Sequence, residues 1–146
     1  KAGQKYRLPT DAEWSFAVGL SQEQGNTPKE KSGRIIGVYP WGSWDDRLPQ
    51  PLNSGNYGQS VGKVDDFSRT SPAGSFAANY LGIHDLGGNV WEWCEDELNS
   101  SSKARVLRGA SWYNDIPDDL LSSTRYGEKP DRRDNTIGFR CVLASE

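Results

Sequence analysis

Histidine is nearly missing from this chain: His84 is the one example in 146 residues, and cysteine occurs only as Cys94 and Cys141. A tetrahedral site of imidazoles and thiolates needs four such ligands, so zinc is excluded unless carboxylates join, and the spacing of these three residues matches no zinc pattern. An iron centre held by two histidines and a carboxylate is closed for the same reason. An excess of positive charge is also missing. With a net charge of -3 and a pI near 5.2 the chain has no basic footprint to neutralise phosphates, which sets nucleic acid aside as a partner. No apolar run approaches the ~18 residues of a membrane span, and residues 1–20 lack the basic, then apolar, then small order of a secretion signal. The chain therefore reads as water-soluble, with no membrane span.

Aliphatic side chains are sparse as well. Hydrophobic content is 34%, so six Trp, six Tyr and four Phe must supply much of the interior, and the Trp and Tyr polar atoms will need partners there. Sixteen Gly and eight Pro indicate frequent turns. This combination predicts one irregular α+β domain with short strands, few helices and many loops.

Thr10 followed by Glu13 has the form of a capping box, and Ala12, Trp14, Phe16 and Val18 supply apolar surface, so a helix is expected over residues 11–19. Residues 21–51 are polar and rich in Gly and Pro, a long excursion with one short strand or extended piece expected within 34–39. Residues 53–76 show no sustained period and too little apolar surface to order themselves, which leaves a bound cation as one candidate organiser. Alternation from Val90 to Asp96 predicts a strand. Residues 105–112 and 137–143 read as two more, enclosing an irregular stretch over 113–136. Ser100 to Ser102 form a loop tip. His84, beside Asp85 at a turn, reads as a surface or structural residue. Cys94 and Cys141, both on expected strands, are either a disulfide or two thiols.

Six blocks occur in a fixed order: Tyr-Arg-Leu-Pro-Thr-Asp-Ala-Glu-Trp at 6–14, Tyr-Pro-Trp-Gly at 39–42, Pro-Ala-Gly-Ser-Phe at 72–76, Gly-Asn-Val-Trp-Glu-Trp at 88–93, Arg-Val-Leu-Arg-Gly-Ala-Ser-Trp at 105–112 and Gly-Phe-Arg-Cys-Val at 138–142. In this the chain resembles the formylglycine-generating enzyme, or sulfatase-modifying factor, family over essentially its whole length. The resemblance implies an irregular variant of the C-type lectin fold. Family domains carry a further stretch upstream of the first block, so the chain is expected to be the C-terminal part of a longer domain or a minimal version, with an N-terminal segment or a larger parent protein as a partner. The enzymes bind copper through two cysteines shortly after the block that ends here at Trp112. The corresponding positions are Asn114 and Asp119, and neither supplies the thiolate that suits Cu(I) and enters redox exchange. No cysteine lies between Cys94 and Cys141. The resemblance thus implies no copper and no oxidase activity for this chain alone.

Calcium is what the resemblance does imply. Its two family sites map onto Asn56, the Tyr57 carbonyl, Asp65 and the Phe67 carbonyl, and onto Asp85, the Gly88 and Val90 carbonyls and Glu92. All are hard oxygen donors of the kind calcium prefers. At the first site Asp66 competes with Asp65. A plainer reading has Asp85 and Glu92 satisfying backbone amides in a tight turn, with Asn56 building a loop.

In this fold the stretch before the last strand forms an exposed surface. Here it carries Trp112, Tyr113, Asn114, Asp115, Asp118, Asp119, Thr124, Tyr126 and Arg132, a composition suited to adaptable recognition of a protein or other ligand. The alternative is that Trp112 and Tyr126 are core and the charges are solvated. The stretch also resembles the variable region of retroelement-diversified proteins of the same fold. Tyr113, Asn114, Asp115 and Thr124 can arise from mutagenised asparagine codons, whereas Glu128 and Lys129 cannot. The expectation is a non-catalytic, calcium-stabilised binding domain that uses residues 112–136. Its rivals are a superfamily enzyme whose catalytic groups lie in an N-terminal part or partner domain, and a structural or regulatory module of a larger protein.

Overall fold

The computed structural model describes residues 4–43 and 67–144. The first blocks form as their local chemistry dictates. β1 (Tyr6–Arg7) leads into Thr10, whose Oγ1 accepts the Glu13 N–H at 3.1 Å, while Glu13 Oε2 accepts the Thr10 N–H at 2.8 Å. This reciprocal capping box satisfies two otherwise orphaned amides and starts α1 (Asp11–Ala17), two residues shorter than expected. The buried face keeps Trp14 and part of Val18 from the expected apolar set and adds polar residues to them. Ala12 and Phe16 point outward, Phe16 being 69% exposed, and the helix docks through Asp11, Trp14 and Ser15. A polar face can be buried here because charged partners from distant segments meet it.

A one-turn helix, α2 (Pro28–Lys31), lies in the stretch expected to hold only an extended piece. Thr27 caps it by accepting the Glu30 N–H at 3.2 Å, and proline starts it, where its missing N–H costs nothing. β2 (Val38–Tyr39) and β3 (Gly42–Ser43) close a tight hairpin over Pro40 and Trp41, and the Tyr39 and Trp41 rings stack at 4.9 Å.

The main sheet is built on the hairpin of β4 (Trp91–Asn99) and β5 (Ser102–Arg108), turned at Ser100 and Ser101. Asn99 Oδ1 accepts the Ser101 N–H at 3.0 Å and its hydroxyl at 2.9 Å, which fixes the turn. β6 (Tyr126–Glu128) adds antiparallel to β5, so the stretch 113–136 is not wholly irregular. β7 (Ile137–Gly138) adds parallel to β4, giving the order β6-β5-β4-β7. The single strand expected over 137–143 is in fact two. After β7 the chain turns Arg140 toward Glu92, and β8 (Val142–Leu143) pairs instead with β1.

Val106 and Leu107, adjacent on β5 and both fully buried, face opposite sides of the sheet and enter separate clusters. Leu107 packs with Tyr39, Trp91, Ala110, Leu120 and Leu121; Val106 packs with Trp14, Leu86 and Cys94. Aromatic rings thus share the core with the few aliphatic residues. Cys94 is buried and Cys141 exposed, and both are free thiols.

Candidate binding face and calcium turn

A buried polar chain runs from α1 to the turn that holds Asp85 and Glu92. Asp11 receives Arg108 Nη1 and is gripped side-on by Arg125, with Nε on Oδ1 at 3.1 Å and Nη2 on Oδ2 at 3.0 Å. Arg125 also holds Glu23 through both terminal nitrogens, and Ser15 Oγ accepts from both arginines at 3.0 and 3.1 Å. Arg108 donates to the Ser122 carbonyl at 2.8 Å and lies 4.3 Å above the Trp14 ring. The Trp14 indole N–H reaches Glu92 at 2.9 Å, and Arg140 clamps the same carboxylate with two bonds of 2.6 Å. Burial alone would raise the Asp11 carboxyl, but the charge of Arg108 and the hydrogen bond from Arg125 outweigh it and hold the group below its ordinary value. Three carboxylates balance three guanidiniums along this chain, which is what allows most of it to be buried.

Its far end is the turn 85–92. Asp85 and Asn89 both adopt left-handed backbone, at φ 55 and 61, which folds the segment back on itself. Asp85 Oδ2 accepts the Gly74 N–H at 2.6 Å, whereas Oδ1 is shielded from solvent and has no hydrogen-bond partner. Arg140 Nη2 donates to the His84 and Asp85 carbonyls, each at 3.0 Å. Asn89 bonds Ser71 in both directions at 3.2 Å, and its carbonyl accepts the Trp112 N–H at 2.9 Å. The turn is thereby tied to the start of the expected binding stretch. His84 Nδ1 lies 2.8 Å from the Phe76 carbonyl, in keeping with a structural role.

An orphaned carboxylate oxygen at Asp85 is what a cation site would present, so the second of the two expected calcium sites fits at that residue. Glu92 fits less fully. Its Oε2 already accepts from Trp14 and Arg140, which leaves Oε1, with one bond from Arg140, as the atom with a lone pair to spare. Among the described residues no group of three or more His, Cys, Asp or Glu side chains could hold a metal; the expected site has only two carboxylates and draws its other donors from the Gly88 and Val90 carbonyls. Of the first site, Asn56, Tyr57 and Asp65 lie outside the described residues. Phe67 lies within them, its ring set edge-on to Phe76 at 6.4 Å.

Two residues singled out as replacements for copper-binding cysteines are brought together. Asn114 Nδ2 donates to Asp119 Oδ2 at 3.1 Å, while Asn114 Oδ1 accepts the Ser111 N–H at 3.0 Å and hydroxyl at 2.8 Å. A second tie runs from the Thr124 hydroxyl to the Asp118 carbonyl at 2.6 Å. Tyr113 stands outside this clasp, 72% exposed and edge-on to Trp112, whose indole N–H donates to the Asn135 carbonyl at 3.2 Å. Asp115 is partly buried and Asp118 exposed. Tyr126 packs one side on Trp91 and remains 54% exposed, so neither it nor Trp112 is core. Arg132 pairs with Asp134 at 2.7 Å.

Residues 1–145 match the sulfatase-modifying factor enzyme 1-like domain. The chain belongs to that family. It is 35% identical over 143 residues to a cattle (Bos taurus) protein named inactive C-alpha-formylglycine-generating enzyme 2, covering 93% of this chain and 43% of the relative. A serine/threonine-protein kinase pkn1 of Chlamydia caviae is 31% identical over 155 residues, covering 93% of this chain and 21% of the kinase. Among solved structures, Treponema denticola variable protein 1 superposes with a TM-score of 0.63 at 25% identity, over 94% of this chain and 47% of that one. The sulfatase-modifying factor fold is therefore this chain's fold, as its motifs imply. The chain spans less than half the length of these relatives, and one of them is a larger protein in which such a domain is a part. No helix among the described residues is long and apolar enough to cross a membrane.

Motif reasoning missed several residues that shape this region. Phe139, 67% exposed, and Trp93 line a groove beside Arg132 and Arg133, although both aromatics lie in strand blocks assigned to structure. Arg108 and Arg125 went unmarked too. The one signal they left was an arginine inside an otherwise apolar strand block and another amid a serine-rich stretch.

Proposed function

We propose that this is a non-catalytic member of the sulfatase-modifying factor family, a calcium-stabilised lectin-like domain that recognises a protein or other ligand through the surface 112–136. The observation that carries this reading is the Asn114–Asp119 clasp. At the two positions expected to hold the oxidase thiolates, an amide and a carboxylate satisfy each other and Ser111, leaving neither a soft ligand for copper nor a redox couple. Similarity to a relative named as inactive supports it. Around the clasp, Trp112 and Tyr113 offer a rigid aromatic contact with adaptable polar neighbours.

Calcium in this reading is structural. Asp85 Oδ1, the Gly88 and Val90 carbonyls and Glu92 would hold one ion in the second site; Asn56, the Tyr57 and Phe67 carbonyls and Asp65 would hold the other. An ion at the turn would meet the Asp85 oxygen that is otherwise unsatisfied and stiffen the segment that carries Trp112.

Two measurements test the reading. Incubation with copper, oxygen and a cysteine-containing sulfatase peptide should give no aldehyde product, and turnover would refute it. Chelation should lower the melting temperature and added calcium restore it. The Asp85→Asn variant should lose most of that response. Indifference of the wild type to both treatments would remove calcium from the proposal.

A further inference from the structure

β7 is an edge of the main sheet, and along it runs a groove of about 630 Å³ lined by Trp93, Arg132, Arg133, Asn135, Ile137 and Phe139 together with Asp134 and Gly138. Its two arginines differ. Arg132 is engaged by Asp134, and the other Asp134 oxygen accepts the Thr136 N–H at 3.1 Å and hydroxyl at 2.8 Å, so this carboxylate is fully occupied. Arg133 is exposed and has no hydrogen bond or ion pair among the described residues. The same groove is lined by the exposed Phe139 and the half-buried Trp93. Asn135, one of the lining residues, accepts the Trp112 indole N–H through its carbonyl, which ties the groove to the aromatic pair at 112 and 113.

We propose that this groove docks an acidic peptide segment in which a carboxylate side chain flanks an apolar or aromatic one. The inference rests on the reading of 112–136 as the recognition face and extends that face across β7 to residues 93 and 139. Charge complementarity selects the partner. The chain as a whole is acidic, yet the groove sets two guanidiniums against a single carboxylate, and the unpaired one can fork onto a second carboxylate. The aromatic walls require an apolar group beside that charge, which a peptide supplies. A simple inorganic anion would leave those walls bare.

Tryptophan fluorescence of the whole 146-residue chain reads the groove through Trp93 and Trp112. The probes are a capped hexapeptide with two glutamates flanking a phenylalanine, its lysine counterpart, and inorganic phosphate. The glutamate peptide should bind saturably, weaken by about fivefold or more in Arg133→Ala, and weaken in high salt. The lysine peptide should not saturate, and phosphate should not displace the glutamate peptide. Equal binding of the two peptides, indifference to Arg133→Ala, or ready displacement by phosphate would overturn the proposal. A display library separates this outcome from failure of the wider reading. Ligands lost on Tyr113→Ala but retained by Arg133→Ala and Phe139→Ala would keep the binding face and refute the acidic-peptide groove; a library that yields no binder would refute both.

Discussion

Replacing Asp11 by alanine removes the one carboxylate shared by Arg108 and Arg125. The damage can be worked from the geometry. Arg125 keeps Glu23, but Arg108, wholly buried, is left with the backbone carbonyls of residues 11 and 122, Ser15 and the Trp14 ring, none of which carries charge. A balanced interior becomes net positive. Removing one partner of a buried pair costs about 3–5 kcal/mol, much of it the penalty of the stranded charge. For a chain of this size that corresponds to a loss of about 12 °C in melting temperature, taking ~3 °C per kcal/mol. Arg108→Met strands charge of the opposite sign, since Asp11 and Glu23 then share Arg125 alone, and should also destabilise by about 3 kcal/mol. Combining the two restores the balance of Glu23 with Arg125. The double variant should therefore be more stable than the sum of the single losses by roughly 2 kcal/mol. Urea melts of the four proteins, followed by tryptophan fluorescence and checked by circular dichroism, give the cycle. Strict additivity would show that the network is not an energetic unit and would refute the reasoning.

Acid should unpick the same end of the molecule. Glu13, held down to about 2 chiefly by its hydrogen bond from Arg7, then by the Thr10 amide, has a folded value below its ordinary 4.5. Its contribution is therefore complete above pH 4.5 and disappears as pH falls through about 2. Its side chain is 42% exposed, so solvent screening limits the loss in Glu13→Gln to about 1 kcal/mol at neutral pH. The gap from wild type should close toward pH 2, and a gap constant with pH would contradict the assignment. Asp11 and Glu23, also depressed, add to the acid lability of the wild type. In the native protein a thiol reagent should label Cys141 promptly and Cys94 only after unfolding, because burial pushes the Cys94 thiol up to about 12. Two fast equivalents, or none, would refute this. Gly109→Ala forces a side chain into φ +91 with its Cβ 3.0 Å from the Leu86 carbonyl oxygen and 3.2 Å from Trp14, and should cost about 2–3 kcal/mol in a chemical melt; a neutral result would mean the turn can relax.

The candidate sites were legible in unequal measure. Asp85, Asn114 and Asp119 were named from the ordered blocks, and the structure sets Asn114 against Asp119, a contact that the blocks themselves do not state. The β7 groove was not found. Phe139 and Trp93 sit in strand motifs where an aromatic is read as core, and only the end of β7 at Gly138 leaves Phe139 outside.

What the sequence determined by itself is what neighbours along the chain decide. The capping box at Thr10 and Glu13 spans three residues, the serine turn closes between its own strands, and the scarcity of aliphatic side chains announces an irregular, aromatic-assisted core. What only the tertiary structure decided depends on partners far apart. Asp11 meets Arg125 from 114 residues away, and Glu92 meets Arg140 from 48 away. Those pairings added charge to the buried face of α1 beside Trp14, and the last expected strand is broken in two where Arg140 turns to Glu92. β1 and β8 hold two residues each, too few to show any period, and exist only because the fold brings them side by side. A charged residue written into an apolar block looks the same in sequence whether it will face water or a buried counter-ion, and the choice is made by the long-range contact that supplies the opposite charge.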